Sequence, residues 1–143
     1  MKKMIRIAFA YAVAAMAGGV FYREFTKFQG FTGKTTLSLV HTHLFLLGMV
    51  MFLLVSLFVD RFSLAEEKRF RTFIILYNIG VPMTALMLFV RGLVQIRYNG
   101  DLPSKALDAS ISGLAGIGHI LTGIGIVLFF LCLLKAVDAE TER

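Results

Sequence analysis

The three histidines of this chain are the residues best suited to chemistry, and all three lie in long apolar segments. His41 and His43 lie in the segment Leu37–Met49, and His119 lies in a later one. An ionisable side chain at membrane depth is costly unless it is hydrogen-bonded or bound to a metal, so it indicates a functional site. Imidazole is a common axial ligand of haem iron and also binds zinc and copper. We therefore predict a haem or metal site that involves these histidines.

The spacing of the first two histidines restricts what they can bind. On a helix, His41 and His43 are separated by about 200°, so their rings point to nearly opposite sides and cannot ligate the same iron. Counted at about 1.5 Å per residue from the outer ends of their spans, His43 and His119 lie at similar depth. A transmembrane haem requires imidazoles at the same depth on helices that face each other. Zinc or copper without haem, and hydrogen bonds between helices, are the alternatives.

The helical face around His119 consists mostly of small residues. The residues predicted to share this face are Ser112, Ala115, Gly116, Thr122 and Gly123. Such a face would let a flat macrocycle approach the helix backbone, and close packing of two helices through small residues is the alternative interpretation.

Arginines near the outer ends of the spans suit the two propionates of a haem. Arg91 lies at the outer end of the third span, Arg97 lies just beyond it, and Arg23 lies in the neighbouring outer loop. Because arginine binds carboxylates bidentately, we predict that these arginines anchor the propionates. Ordinary snorkelling of arginine at helix ends is the alternative.

The composition indicates that a membrane positions these residues. The chain has 143 residues, of which 57% are hydrophobic. We predict an all-α, four-helix transmembrane bundle that forms one integral membrane domain over residues 1–143, with spans at about 4–22, 36–59, 70–90 and 111–134. The first segment also resembles a secretory signal peptide, because Lys2 and Lys3 precede an apolar stretch and Ala15-Met16-Ala17. We take it as the first transmembrane helix.

The basic residues predict the orientation of the bundle in the membrane. The net charge is +6, and the basic residues flank the spans, which is typical of membrane topology rather than of nucleic-acid binding. Nine of them lie on the side of the two termini: Lys2, Lys3, Arg6, Arg61, Lys68, Arg69, Arg71, Lys135 and Arg143. Six lie on the other side: Arg23, Lys27, Lys34, Arg91, Arg97 and Lys105. We therefore expect both termini in the cytoplasm.

Two further residues have structural interpretations. Pro82 cannot donate a hydrogen bond to the carbonyl of Asn78, which predicts a kink in the third span, and Asn78 itself suits a hydrogen bond between helices. Cys132 is the only cysteine and is expected in the packed core. The sequence contains no motif for c-type haem attachment, for a zincin or for a nucleotide site.

The sequence resembles two kinds of membrane protein. The segment from His41-Thr42-His43-Leu44 to Gly48-Met49, together with the four-span layout, resembles an uncharacterised bacterial family of small four-helix membrane proteins over nearly the whole chain. More distantly, the His-x-His helix is similar to one in the catalytic subunits of haem–copper oxidases and nitric oxide reductases. There, one histidine of the pair ligates the low-spin haem and the other the high-spin haem. The chain lacks the His-His pair and the cross-linked tyrosine region that serve copper in oxidases, so the resemblance does not extend to oxygen reduction.

The resemblance also implies an assembly. Those catalytic subunits contain twelve helices in three arcs of four, and this chain resembles one arc. Three copies would then form a homotrimer with haem at or near the subunit interfaces. A neighbouring copy would also cover whichever of His41 and His43 faces lipid.

These observations favour a b-type haem protein for electron transfer or for binding of a diatomic gas, with copper as a further candidate metal. A redox protein or a quinol would be the partner, together with the lipid bilayer and other copies of the chain. We expect it as a multi-pass protein of the bacterial inner membrane. The alternatives are a haem-free structural or regulatory subunit and a small copper or zinc transporter.

Overall fold

Four long helices make up this protein, and the computed structural model describes residues 1–141. Each helix is long and apolar enough to cross a membrane, so the predicted all-α fold with four candidate spans is confirmed and the chain is assigned as a multi-pass membrane protein. The helices are α1 (Lys2–Phe28), α2 (Leu37–Phe62), α3 (Lys68–Arg97) and α4 (Lys105–Thr141). The beginning of α1, the end of α4 and the α2–α3 connection lie at one end of the bundle, hereafter the terminal end. The other two connections lie at the opposite end.

The helices extend beyond the predicted spans. The first helix continues to Phe28, and the chain turns at Gly30, whose φ of +62° favours glycine. Arg23 and Lys27 therefore lie on the last turns of α1 and not in a loop, which corrects the prediction for this segment. The turn between α3 and α4 has positive φ angles of 54° at Asn99 and 107° at Gly100.

The second helix changes its hydrogen-bond pattern directly after His43. Residues Leu44–Val50 form a π-helical segment between two α-helical parts. Gly48 lies in this segment, and the ring of Tyr11 packs on it so closely that a Cβ at Gly48 would lie 2.3 Å from Tyr11 Cδ1. Such π-helical turns are uncommon and occur frequently at functional sites. The His-x-His pair thus lies at the beginning of an unusual turn.

The third helix lies between α2 and α4 and sets the position of both. A Cβ at Gly80 of α3 would lie 2.6 Å from the backbone nitrogen of Thr122, and one at Gly92 would lie 2.4 Å from the backbone nitrogen of Leu37. Small residues at these points allow the backbones to approach closely. Thr122 is buried against α3. The prediction that Thr122 shares the face of His119 is therefore wrong, because the contact with Gly80 turns this side of α4 towards α3.

The core contains aromatic rings and a few polar side chains. Phe52, Phe73 and Tyr77 are fully buried and contact one another, with ring centroids 5.3 to 6.4 Å apart. Tyr11 donates a hydrogen bond of 3.2 Å to Asn78 Oδ1, which joins α1 to α3 as Asn78 was expected to do. The third helix continues through Pro82 without interruption, and Cys132 is buried, as expected.

Candidate functional site

His43 and His119 share one hydrogen-bond pattern. The Nδ1 atom of His43 lies 2.9 Å from the carbonyl oxygen of Leu39, and that of His119 lies 2.8 Å from the carbonyl oxygen of Ala115. Because a carbonyl oxygen can only accept, each Nδ1 carries the proton and each Nε2 is left with a free lone pair. Within residues 1–141 neither ring bonds to another helix.

His41 has a different environment. Its ring packs on α1, where a Cβ at Gly19 would lie 3.6 Å from His41 Cγ. Its Nδ1 atom is buried and has no hydrogen-bond partner among the described residues. The ring of His41 is thus directed towards α1, whereas the neighbouring histidine, two residues later on α2, belongs to the other side of the helix.

An apolar groove lies between α2 and α4. It has a volume of about 420 Å³. Its walls include Leu47, Leu54 and Phe58 of α2 and Ile126, Phe130 and Leu133 of α4. Phe58 and Phe129, which also line the groove, contact each other with ring centroids 6.1 Å apart.

The two histidines continue the walls of this groove towards the opposite end. Leu47 follows His43 by four residues, and Ile126 follows His119 by seven residues, spacings that keep side chains on one face of a helix. His43 therefore shares the groove face of α2, and His119 shares the groove face of α4. His43 is partly buried, whereas His119 is exposed on the isolated chain.

The contacts with α3 allow the depths of the two histidines to be compared. Leu37 lies against Gly92, and α2 and α3 are antiparallel. His43 follows Leu37 by six residues within the α-helical part of α2. It therefore lies level with Leu86, which precedes Gly92 by six residues.

The same comparison places His119 close to that level. Gly118 packs against Thr84, so His119, the next residue of α4, lies level with Met83 on the antiparallel α3. Met83 and Leu86 are three residues apart, which corresponds to about 4.5 Å along a helix axis. The two histidines are thus at similar depth, on the same helix faces as the groove-lining residues Leu47 and Ile126.

The surface of α4 next to His119 is open. Gly116 precedes it by three residues and Gly123 follows it by four, and neither has any atom within 4 Å of the position that a Cβ would take. These glycines therefore leave space beside the imidazole, instead of contributing to the contact with α3. This part of the predicted small-residue face is available to a ligand or to a second chain.

Of the three predicted arginines, Arg91 is the one that reaches this face. Its guanidinium pairs with the carboxylate of Asp108 and lies 2.6 Å from Ser112 Oγ. Ser112 precedes His119 by seven residues on the same face, a separation of about 10.5 Å along the axis. The structure therefore places a cation at the end of the histidine face of α4.

The other two arginines lie apart from this face. Arg97 is exposed near the end of α3 and makes no ion pair or side-chain hydrogen bond within residues 1–141. Arg23 is exposed on α1 and lies 3.7 Å from Glu24. The structure does not bring Arg97 or Arg23 to His119.

Three features of the site were missed by the sequence analysis. These are the groove, the π-helical segment and the role of Asp108. The groove-lining stripe of α2 is indistinguishable in sequence from a lipid-facing one. Asp108 carried a usable signal, since it is an acidic residue that precedes Ser112 by four positions at the beginning of an apolar helix.

The described residues do not form a metal site of three or more protein ligands. Among residues 1–141, no group of three or more histidine, cysteine, aspartate or glutamate side chains converges so that it could hold a metal ion. His43 and His119 provide only two imidazoles. Two is the number of axial ligands that a haem iron can take from a protein.

The comparisons with known proteins identify a family without an assigned activity. No curated protein and no solved structure matches the chain. Residues 1–136 match the family described as "Protein of unknown function (DUF2871)". The match covers all four candidate spans except the last residues of α4. This chain belongs to the DUF2871 family.

Proposed function

We propose that this protein is a b-type haem-binding membrane protein in which His43 and His119 of one chain supply the two axial ligands. One observation carries the proposal. In both rings Nδ1 is hydrogen-bonded to a backbone carbonyl of the same helix, and the two rings lie at similar depth on the helix faces that line the groove further along. Haem-ligating and metal-ligating histidines usually have this second hydrogen bond, because it fixes the ring orientation and makes Nε2 more basic.

The surrounding residues fit a haem. The open backbone at Gly116 and Gly123 offers room for a flat ring beside His119. The apolar walls of the groove would exclude water from it, and exclusion of water is one of the means by which a protein sets a redox potential. Arg91 would meet a propionate in competition with Asp108.

Two imidazole ligands favour one of the two functions that the sequence suggested. When haem is bound, it supplies one-electron redox chemistry, and gas binding requires a free axial position. With both His43 and His119 as ligands no axial position is free, so the proposal is electron transfer, with a membrane quinol or a redox protein as the electron donor. His41, packed on α1, would not take part in this site.

Orientation, assembly and location belong to the same proposal. The excess of basic residues at the terminal end supports a cytoplasmic position for both termini in a bacterial inner membrane. His119 is exposed on the isolated chain, and a second copy would shield it from lipid. The proposal of three copies rests only on the analogy to the three helix arcs of the oxidase subunits.

A spectrum of the purified protein tests the haem proposal directly. The protein is produced with added haem precursor, purified in detergent, and analysed by visible absorption and by iron and copper determination. We expect a Soret band, split α and β bands on reduction that are typical of a low-spin haem, and about one iron per chain with no copper. Failure to take up haem, both during expression and on later addition of hemin, would overturn the proposal. Copper or zinc in its place would favour the alternative of a metal transporter.

A further inference from the structure

A second groove lies at the terminal end, between α1 and α3, and combines cations with apolar side chains. It has a volume of about 350 Å³. Lys3 of α1 and Arg71 of α3 both line it. The remaining walls are mostly apolar and include Met4, Phe70, Ile74 and Ile75. The groove therefore has a charged part and an apolar part, and it lies where helices α1 and α3 both begin.

The two cations of this groove have no partner among the residues that the structure describes. Within residues 1–141, neither Lys3 nor Arg71 makes an ion pair or a side-chain hydrogen bond, and both are exposed. Two other cations of the same end are paired: Arg61 with Glu140 and Lys135 with Glu67. Two like charges beside one groove repel each other unless an anion lies between them. Lys3 and Arg71 thus place two cations, unpaired within residues 1–141, beside the same groove.

The apolar part indicates what kind of anion fits. Met4 and Phe70 are buried, whereas Ile75 is 60% exposed. Basic pockets between transmembrane helices at the cytoplasmic surface are typical of binding sites for anionic lipid headgroups. A soluble anion would leave the apolar wall uncovered, whereas a phospholipid would cover it with an acyl chain.

We infer that this groove binds an anionic glycerophospholipid, with its phosphate between Lys3 and Arg71 and an acyl chain along Ile74 and Ile75. Each cation near an anionic lipid contributes about fivefold to binding. The lipid would join the first turns of α1 and α3. This site is independent of the haem proposal, because it lies at the other end of the bundle from Arg91.

Mass spectrometry of intact protein–lipid complexes tests the inference. Phosphatidylglycerol and phosphatidylcholine with identical acyl chains are titrated onto the detergent-solubilised protein. We expect the protein to prefer phosphatidylglycerol by tenfold or more, and the double variant Lys3→Gln/Arg71→Gln to lose this preference. The matched control Lys2→Gln/Arg69→Gln removes the same charge from neighbouring positions that do not line the groove, and it should retain the preference. The charge-conserving variant Lys3→Arg/Arg71→Lys should retain it too.

Three outcomes would overturn the inference. They are no preference for phosphatidylglycerol in the unmodified protein, equal loss in the control and groove variants, and undiminished preference in the groove variant. Free glycerol phosphate forms the last arm of the experiment. If it displaces the lipid at equal concentration, the site is one for soluble phosphates and the acyl chain has no role. Helical circular dichroism of every variant verifies that these exposed substitutions leave the bundle folded.

Discussion

The guanidinium of Arg91 on α3 is paired with the carboxylate of Asp108 in the first turn of α4. The pair joins the two helices at the end of the face that carries His119. Arg91 is 27% exposed and Asp108 is 53% exposed, so this ion pair contributes less than about 1 kcal/mol to stability. A carboxylate from a ligand could therefore replace Asp108 at small cost.

Arg91→Gln should weaken haem binding, because it removes a charge-assisted hydrogen bond of about 1.5–3 kcal/mol to a propionate. We expect haem to be lost to excess apomyoglobin about tenfold faster than from the unmodified protein. Arg97→Gln and Arg23→Gln are the controls, since neither arginine reaches the face of His119, and they should leave the rate unchanged. Equal rates in all three variants would contradict a role for Arg91 at the propionates.

Single substitutions of the three histidines should distinguish the two proposed haem ligands from His41, which packs on α1. His43→Ala and His119→Ala would each remove one of the two proposed haem ligands, so each should convert the low-spin spectrum to a high-spin one or abolish haem binding. His41→Ala should keep the spectrum of the unmodified protein, because that ring packs on Gly19. Absorption spectra at equal protein concentration measure the difference. A spectrum that changes only in the His41 variant would refute the assignment.

The sequence predicted much of this arrangement, and the reasons differ from residue to residue. Four apolar segments of sufficient length predict four helices, because a bilayer leaves few alternatives for the backbone. The opposite directions of His41 and His43, and the similar depth of His43 and His119, follow from helix geometry alone. Each of these properties follows from positions counted along a single helix, without knowledge of how the helices pack.

The remaining features depend on how the helices face one another. Helical periodicity gives the angle between Thr122 and His119 but does not show which of them faces α3. The close contact of Gly80 with Thr122 decides that orientation. The groove is likewise a property of α2 and α4 together, so neither sequence segment contains it. The extension of α1 to Phe28 was missed because hydropathy reports the apolar span and not the end of the helix.

Gly80→Ala should destabilise the protein, because the added methyl group would lie 2.6 Å from the backbone nitrogen of Thr122 and neither helix backbone can move easily. Such overpacking typically costs about 1–3 kcal/mol. Gly113→Ala is the matched control on α4, since no atom lies within 4 Å of its Cβ position. There the better helix propensity of alanine should be neutral or stabilising by up to about 1 kcal/mol. Denaturation in mixed micelles measures both, and equal stabilities would show that α3 and α4 are less tightly packed than described.

Acidification should remove the contribution of Glu67 to stability. Lys135 Nζ donates a hydrogen bond of 2.8 Å to Glu67, which together with the charges of Lys135 and Arg69 lowers the pKa of this carboxyl below its usual value of 4.5. Since the folded state has the lower pKa, the stabilisation is present above pH 4.5 and is lost as the pH falls through the folded-state pKa. The melting temperature of Glu67→Gln should therefore fall less on acidification than that of the unmodified protein. Parallel curves for the two proteins would contradict this role.

Mass determination in detergent, corrected for bound detergent, should give a homotrimer of about three times the chain mass of 15.9 kDa. The structure changes the reason for this expectation. His41 is covered by α1 within its own chain, so the side that needs covering is the one with the groove and the exposed His119. In a closed cyclic assembly, a neighbouring copy would cover this side of every chain in the same way. A monodisperse haem-loaded monomer would refute the trimer and leave His43 and His119 as an axial pair within one chain.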